Sequence, residues 1–338
     1  MTDLRRFGTL PGGATVDAAT IAGGGLTATV LTYGAVLQDL RLAGHRPPLV
    51  LGFETLDAYL AHSRFFGATA GRCANRIRDG RFTLDGRDHQ LDRNFLGKHH
   101  LHGGSASIGK RLWTLEDVQP DSVTLSITLA DGEMGYPGEM HIRQILSLPG
   151  GGMLDIAMEA RSDAATLCNL AHHSYFNLDG TDTILDHELQ VTADHFLPVD
   201  GELIPTGEIA PVGGHAFDFR QPRRLREVCA QKRIDHNFCL AGRRRQLTHA
   251  ATLRAPASGV SMDIRTTEPG LQVYDGAPLD VPVPGLDGRR MGAHAGMALE
   301  PQDWPDAIHH PAFPQAILRP GETYRQHTRF VFSKEPEA

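Results

Sequence analysis

The chain of 338 residues has little of what marks several large classes of protein. It has only four cysteines, and none of them is spaced as Cys-x-x-Cys; they are Cys73, Cys168, Cys229 and Cys239. So few scattered thiols in a long chain indicate reduced, packed cysteines, as in the cytosol. Long apolar runs are missing too, because no stretch approaches the ~20 apolar residues of a membrane-spanning helix.

An excess of basic charge is also absent. The chain has 33 lysines and arginines against 40 aspartates and glutamates, a net charge of −7, and the two signs are interspersed. This distribution excludes the basic footprint of a nucleic-acid-binding protein. The short basic run 242–245 is predicted to be a solvated loop. No apolar segment follows Arg5 and Arg6, so we expect no secretory signal peptide and a cytoplasmic location.

Alternation of apolar and polar residues dominates the rest of the chain. Val123, Leu125, Ile127 and Leu129 alternate with polar residues, which is the pattern of a half-buried strand. Asp-Gly pairs between such runs mark turns. Further strand patterns cover 140–148, 154–158, 188–193, 260–265 and 323–333.

Helical signals are short by comparison. Residues 55–60 and 221–230 each suit a helix of a few turns at most, and the chain shows neither a strand–helix alternation nor an internal repeat. The chain is therefore predicted to be all-β, a large antiparallel β-sandwich with a few short helices. Residues 1–338 are predicted to form a single domain, because no linker or low-complexity segment divides them.

Asn75 and Arg76 form the first motif, in a segment that follows an aromatic stretch. A guanidinium with a neighbouring amide supplies several directed donors, which suits the recognition of hydroxyls and ring oxygens. The alternative is a strand end with two surface arginines, Arg72 and Arg76.

A histidine-rich segment, 99–104, forms the second motif. His100 and His102 lie on one side of the chain if the segment is a strand. Two imidazoles on one face can bind a metal, but a zinc site needs further ligands, and no HExxH or Cys-x-x-Cys companion is present. A hydrogen-bonding imidazole in a wet pocket is the favoured interpretation, with Gly103 and Gly104 allowing close approach of the backbone.

In the third motif, 171–180, a histidine stands beside aromatic residues just before an Asp-Gly turn. His173 and Tyr175 fall on one face of a strand, and Ser174 and Phe176 on the other. A titratable imidazole held against aromatic surface suits proton transfer on a sugar. The alternative is a buried core histidine that stabilises the following turn.

Two carboxylates in the second half of the chain stand in distinctive surroundings. Asp235 lies among polar residues beside an aromatic, where the alternative is an Asx-turn. Glu300 ends the apolar run 297–299, which predicts a strand end with restricted solvent and a pKa raised toward that of a useful base. The proline-rich loop after it, 301–314, is predicted to wall a pocket with Trp304.

Together these five motifs resemble the aldose 1-epimerase (galactose mutarotase) family, and two further segments, 135–138 and 269–274, agree with it. The motifs run in the family's order over most of the chain. The resemblance implies a mutarotase-like β-sandwich that interconverts the α and β anomers of free aldoses without a cofactor. It also implies that Glu300 is the general base for the anomeric hydroxyl and His173 the general acid for the ring oxygen.

Five further residues match positions with which the family holds the sugar. The resemblance implies that His102 binds near the ring oxygen. It implies that Asn75 and Arg76 donate to sugar hydroxyls. Asp235 would accept from hydroxyls further round the ring, and Gln272 would bind near the anomeric centre or a neighbouring hydroxyl.

The chain departs from the family's pattern at three places. His172 stands where members commonly have an asparagine, and it therefore competes with His173 for the role of acid. Residues 108–110 replace a Gly-Phe-Asp element, and 308–310 replace the asparagine after Pro-Asp-Ala. These changes bear on the preferred sugar more than on the type of reaction.

Two other functions are consistent with the same motifs. A non-catalytic sugar-binding protein would keep the pocket, although it needs no matched acid and base. A glycoside hydrolase would use Glu300 with Asp235, since such enzymes need two carboxylates that flank the bond. The expected partner is a small aldose sugar, with no metal, cofactor, nucleic acid or membrane, and the protein is expected to be a monomer or a weak homodimer.

Overall fold

Antiparallel strands dominate the structure, a computed structural model that describes residues 3–335. The strands form a nine-stranded, a six-stranded and a four-stranded sheet, with short two-stranded pairs beside them. All pairings within the three large sheets are antiparallel. The predicted all-β antiparallel architecture is therefore confirmed.

The described residues form 27 β-strands and two short α-helices. The first strands are β1 (Asp3–Thr9), β2 (Thr15–Gly23), β3 (Leu26–Leu31), β4 (Val36–Leu42), β5 (Ala68–Ala70), β6 (Arg76–Ile77), β7 (Arg81–Leu84), β8 (Arg87–Gln90), β9 (His100–Leu101), β10 (Thr114–Gln119), β11 (Ser122–Leu129), β12 (Met140–Gly150) and β13 (Met153–Ser162). The remaining strands are β14 (Thr166–Leu167), β15 (Ala171–His173), β16 (Tyr175–Phe176), β17 (Glu188–Val191), β18 (His195–Phe196), β19 (Ala210–Pro211), β20 (Arg223–Arg224), β21 (Asp235–Cys239), β22 (Thr248–Ala255), β23 (Val260–Thr266), β24 (Gly270–Tyr274), β25 (Met297–Gln302), β26 (Ile317–Leu318) and β27 (Tyr324–Lys334). The α-helices are α1 (Leu56–His62) and α2 (Leu225–Cys229), and single turns of 3-10 helix cover Arg78–Gly80, Ile108–Lys110, Glu133–Gly135, Leu286–Gly288 and Ala307–His309.

The nine-stranded sheet runs in the order β10-β11-β12-β13-β27-β23-β22-β17-β20. In its long strands β12 and β27 every second side chain is buried over most of the length. This period of two directs one set of side chains, including Ile142, Leu146 and Phe330, to the same face. That face forms one wall of the main hydrophobic core.

The six-stranded sheet, in the order β16-β25-β24-β21-β18-β19, forms the opposite wall. Phe176 of β16 packs on Phe330 of β27 with ring centroids 5.1 Å apart. Phe238, Leu271 and Leu299 belong to the same buried apolar cluster. The two sheets therefore form a sandwich, and because one face of the smaller sheet covers the core, its other face can carry polar groups.

A second apolar cluster supports that other face from the side of the four-stranded sheet β1-β2-β3-β4. Helix α1 begins after Thr55, whose side chain accepts the N–H of Ala58, and it buries Tyr59 against Phe53 with ring centroids 5.2 Å apart. Phe66, in the loop after α1, packs on Tyr175 in the same cluster. This packing holds the loop after α1 beside the six-stranded sheet.

Most of the predicted elements are present, with small differences at their ends. The strand predicted at 188–193 ends at Val191, and the helix predicted at 55–60 is α1. The helix predicted at 221–230 is wrong in its first half. Arg223 and Arg224 pair there with β17 as an edge strand, and α2 begins only at Leu225.

The cysteines and the basic run have different outcomes. All four cysteines are free thiols, as predicted. The interpretation of 242–245 as a solvated loop is wrong for Arg244, whose guanidinium pairs with the buried carboxylates of Glu268 and Asp303. Between residues 3 and 335, none of the helices has the length and apolar character needed to cross a membrane.

Candidate active site

The outer face of the six-stranded sheet forms part of the wall of a cleft of about 600 Å³. The residues predicted to act on or hold a sugar come from distant parts of the chain. All of them line this one cleft, and they are Asn75, Arg76, His102, His173, Asp235, Gln272 and Glu300.

Strand alternation places three of these residues. In β21, β24 and β25 every second residue faces the core, so Asp235, Gln272 and Glu300 share the opposite face. The register sets Gln272 beside Glu300 and Tyr274 beside Asp235. Gln272 Nε2 donates to Asp235 Oδ1 over 2.7 Å. Asp235 thus lies in a strand, and the alternative of an Asx-turn is wrong.

His173 approaches Glu300 from another segment. It ends β15, where it pairs with Ala68 of β5, and its Nε2 lies 3.5 Å from Glu300 Oε1. As predicted, Tyr175 shares the face of His173; their rings are 5.1 Å apart and both line the cleft. An imidazole and a carboxylate therefore meet on the wall of the cleft.

The neighbouring His172 points into the protein. Its Nε2 lies 2.7 Å from Ser174 Oγ, and its ring packs on Phe330 of the core, outside the cleft. Burial lowers its pKa to about 3. The alternative for His173 was a buried histidine that stabilises the Asp-Gly turn. That position is occupied by His187, whose Nε2 accepts the backbone N–H of Leu178 just before the turn. Of the two adjacent histidines, only His173 is available to a ligand in the cleft.

His102 follows β9 and adopts a left-handed backbone with φ of 50°. Its Nδ1 accepts the N–H of Asn75 over 3.2 Å, so the neutral ring carries its proton on Nε2 and donates from there. The ring lies edge to face with His173, at 5.2 Å, and 4.8 Å from the ring of Phe65. His100 bonds to a tyrosine hydroxyl and a backbone carbonyl outside the cleft, so the two imidazoles do not form a pair.

The two arginines of the first motif are buried, and the alternative of a surface strand end is wrong. Arg72 donates to backbone carbonyls and has a structural role. Arg76 Nη2 lies 3.3 Å from Asp235 Oδ2, and its guanidinium lies over the ring of Phe95. Asn75 Oδ1 accepts the backbone N–H of Arg76 over 2.9 Å. The motif therefore carries a positioned cation into the cleft.

Burial dominates the ionisation of the two central groups. The Glu300 side chain is 2% exposed, and desolvation, with a further contribution from the charge of Asp235, raises its pKa well above that of an ordinary glutamate. Desolvation lowers the pKa of His173 to about 4. Glu300 Oε2 and His173 Nδ1 have no hydrogen-bond partner in the described part of the protein. Burial therefore favours the neutral form of both groups in the free protein.

One cluster in the cleft has the spacing of a metal site. His102, His173 and Glu300 each offer a ligand atom within 4.8 Å of the others. The tautomer of His102 argues against a metal there. Its Nδ1 already accepts an N–H and its Nε2 keeps a proton, whereas a metal ligand needs a free nitrogen lone pair. The absence of a metal stays a prediction.

Two predictions about the Glu300 motif are wrong. Glu300 does not end its strand, because β25 continues to Gln302. Trp304 does not wall the cleft; its Nε1 donates to Pro269 O over 2.9 Å and its ring packs on Phe313. The whole of β25 is buried, and only its long-range pairing with β24 shows that Glu300 faces the cleft.

Six further charged or aromatic side chains line the cleft without having been assigned to it from the sequence. Strand period was a usable signal for Tyr274, which lies two residues after Gln272 on the same face. The others come from loops or helix turns, where no local pattern predicts direction. The six are Arg64, Phe65, Phe95, Lys110, Arg233 and Tyr274.

This chain is similar to proteins of one family over nearly its whole length. The family model described as aldose 1-epimerase matches residues 17–331. The galactose mutarotase of Sus scrofa is 42% identical over 336 residues, 97% of each chain. The aldose 1-epimerase of Escherichia coli (strain K12) is 32% identical over 327 residues, 92% of this chain and 93% of that protein.

The fold agrees with the sequence similarity. A solved structure of a GalM/aldose epimerase homologue from C. elegans matches with a TM-score of 0.87 at 33% identity. The match covers 93% of this chain and 98% of that one. The predicted mutarotase-like sandwich is confirmed, and the chain belongs to the aldose 1-epimerase family.

Proposed function

We propose that this protein interconverts the α and β anomers of an aldose, with Glu300 as general base and His173 as general acid. The observation that carries the proposal is the 3.5 Å approach of His173 Nε2 to Glu300 Oε1 in a cleft of about 600 Å³. Ring opening removes a proton from the anomeric hydroxyl and adds one to the ring oxygen. An acid and a base that converge on one point supply both transfers.

The reaction begins with Glu300 ionised and His173 protonated. Glu300 takes the proton of the anomeric hydroxyl, the C1–O1 bond becomes a carbonyl, and the C1–O5 bond breaks as His173 protonates O5. The aldehyde turns about the C1–C2 bond. Closure on the other face reverses both transfers, so both groups return to their starting state and no cofactor is consumed.

In its active state the pair holds one exchangeable proton, and burial favours the form in which Glu300 carries it. A sugar hydroxyl that donates to the carboxylate favours the ionised form of Glu300. The proton then resides on His173, whose Nε2 is 3.5 Å from the carboxylate. Desolvation thus makes Glu300 a strong base once the sugar is bound.

The other five polar residues are proposed to hold the sugar. His102 donates from Nε2 toward the ring oxygen, and Asn75 and Arg76 donate to hydroxyls. Asp235 accepts from hydroxyls further round the ring, while Gln272 binds near the anomeric centre and keeps Asp235 in position. Their common exposure to one cleft supports these roles.

A hydrolase that pairs Glu300 with Asp235 is less well supported. The two oxygens of Asp235 already accept from Gln272 and Arg76. Such a carboxylate is anchored and suited to binding hydroxyls. Glycosidases need instead a second carboxyl group that is free to act as nucleophile or base.

We also infer that the protein works in a reducing compartment such as the cytoplasm and that residues 3–335 form one domain. Residues 1–2 and 336–338 of the predicted domain 1–338 lie outside the described residues. Free, buried Cys73 and Cys168 support the first inference. A single apolar cluster that extends from Ala19 to Phe332 supports the second.

Polarimetry on freshly dissolved α-anomers of glucose, galactose, xylose and arabinose tests the proposed reaction. The wild type should reach equilibrium faster than the spontaneous reaction. Glu300→Gln should lower kcat about 10²–10⁴-fold, because it removes the base. Glu227→Gln is the matched control, since Glu227 is exposed on α2 and outside the cleft, and it should keep the wild-type rate.

Other results assign other functions. Sugar binding in calorimetry without faster equilibration would identify a sugar-binding protein. Steady release of phenol from aryl glycosides would identify a hydrolase. A near-normal rate in Glu300→Gln would remove Glu300 from the role of base.

A further inference from the structure

The cleft has an uneven distribution of charge. Four cationic side chains line it, Arg64, Arg76, Lys110 and Arg233, against the two carboxylates of Asp235 and Glu300. Arg76 is buried, whereas the other three cations are exposed. The exposed cations come from three separate segments: the loop after α1, the 3-10 turn Ile108–Lys110, and the segment before β21.

Two of these three cations contact aromatic rings that line the cleft. Lys110 Nζ is 5.6 Å from the centre of the Phe65 ring, and Arg64 is the residue next to Phe65. The Arg233 guanidinium is 5.6 Å from the centre of the Tyr274 ring. Because all three cations line the cleft and are exposed, they form a cationic rim at its opening.

The carboxylates of the cleft do not neutralise this rim. Asp235 is buried and already pairs with Arg76 at 3.3 Å, and Arg233 reaches it only at 3.8 Å. Glu300 is buried, and desolvation raises its pKa well above the ordinary value, which disfavours its charged form. Among residues 3–335, Arg64 and Lys110 form no ion pair within 4.0 Å. A solvated face of a protein normally mixes both signs, and this rim does not.

We propose that the substrate is an anionic aldose, a sugar with a carboxylate or phosphate group at the end remote from C1. The proposal rests on the proposed function, because that function places C1 at Glu300 and His173. The far end of a sugar bound there projects toward the mouth of the cleft, where Arg64, Lys110 and Arg233 stand. Guanidinium and ammonium groups are the natural partners of both anions.

The electric field of the three rim cations also acts on a charged ligand before it touches the protein. Like charges around a cleft raise the local concentration of an oppositely charged ligand and its rate of association, and added salt screens this effect. Neutral sugars feel no such attraction. Salt dependence therefore separates recognition of charge from recognition of hydroxyls.

The test compares matched sugars with the full-length protein. Polarimetry measures kcat/KM for D-galactose, D-galacturonate and D-galactose 6-phosphate at low salt and at high salt, with Glu300→Gln as the baseline for each sugar. At low salt an anionic sugar should have a kcat/KM about tenfold above that of galactose. High salt should reduce this preference and leave the rate with galactose nearly unchanged.

Variants that each remove one cation show which side chains cause the preference for anionic sugars. Arg233→Gln and Arg64→Gln should each lower the ratio of anionic to neutral kcat/KM roughly threefold, as expected for one partly solvated charge. Lys232→Gln is the control: it removes the same charge from the adjacent position, but Lys232 packs over Phe217 outside this cleft. The ratio should not change in that variant.

Each outcome is decisive. A preference for galacturonate alone supports the proposal with a carboxylate, and a preference for the 6-phosphate alone supports it with a phosphate. Galactose turned over as fast as both anions, or a ratio unchanged in Arg64→Gln and Arg233→Gln, overturns the proposal and leaves the proposed function intact. No acceleration with any of the sugars overturns the proposed function itself.

Discussion

Glu300 and His173 lie 3.5 Å apart, Oε1 to Nε2, although one projects from the middle of β25 and the other ends β15. Each is buried, and each has one polar atom without a hydrogen-bond partner in the described structure. Burial shifts the two pKa values in opposite directions, upward for Glu300 and to about 4 for His173. The ionisation of this pair therefore controls both the proposed activity and a part of the stability.

Substitution of the two adjacent histidines should separate their roles. His173→Asn removes the imidazole beside Glu300, and we expect kcat to fall about 10²–10⁴-fold. His172→Asn replaces a ring that bonds to Ser174 outside the cleft, so catalysis should be nearly retained, with some loss of stability. Polarimetry on both variants, with circular dichroism to verify folding, makes the comparison. Equal losses of kcat in two folded variants would contradict it.

The pH dependence of kcat/KM should be bell-shaped with an unusually low acid limb. The active pair carries one proton, so activity requires a pH between the two pKa values of the free protein. The acid limb should lie near pH 4, where His173 titrates, and the alkaline limb should reflect the raised pKa of Glu300. Rates measured from below pH 4 up to the alkaline fall in activity would show both limbs.

A control must separate this titration from acid unfolding. Protein held at pH 4 and returned to pH 7 should recover its full activity. An acid limb near pH 6.5, in protein that recovers fully, would show that burial does not control His173 as described.

Glu300→Gln should make the folded protein more stable, and increasingly so at higher pH. The pKa of Glu300 is raised by folding, so above about pH 4.3 the unfolded chain loses a proton that the folded protein keeps. The free energy of unfolding of the wild type therefore falls as pH rises, and glutamine removes this dependence. Urea unfolding at pH 5 and pH 8 measures the gain, which should be larger at pH 8. The exposed Glu227→Gln variant should show no such difference between the two pH values.

Arg244 should be a strong determinant of stability. Its Nε lies 2.9 Å from Glu268 Oε1, it also bonds to Asp303, and both carboxylates are buried. Arg244→Met leaves these groups without their cation, and we expect a loss of about 3–5 kcal/mol in the free energy of unfolding. Urea denaturation measures it, with the exposed Arg243→Met as control. A loss below 1 kcal/mol would show that the carboxylates become neutral at little cost.

Local pattern was sufficient for the long strands β11, β12, β13, β23 and β27. Alternation with a period of two predicts the strands, and it also places Gln272 and Tyr274 on one face. Adjacent positions likewise tie Asn75 to Arg76. Strand alternation and the adjacency of two residues depend only on neighbouring positions in the chain, and these can be seen directly in the sequence.

Long-range contacts could not be predicted from local patterns. The sequence left His172 and His173 as competitors, because a face of a strand becomes inner or outer only when the nine-stranded sheet covers it. It also placed Arg244 in solvent and Trp304 at the pocket, since the partners of both lie far along the chain.

The amino-acid sequence by itself determined the all-β class, the family and seven of the residues that line the cleft, because period, turns and motifs are local. Only the tertiary structure decided which histidine meets Glu300, that Arg76 and Gln272 anchor Asp235, and that Arg64, Lys110 and Arg233 share one rim. The physical reason is that the direction of a side chain and its desolvation depend on packed sheets whose strands come from distant parts of the chain. No local pattern encodes such packing.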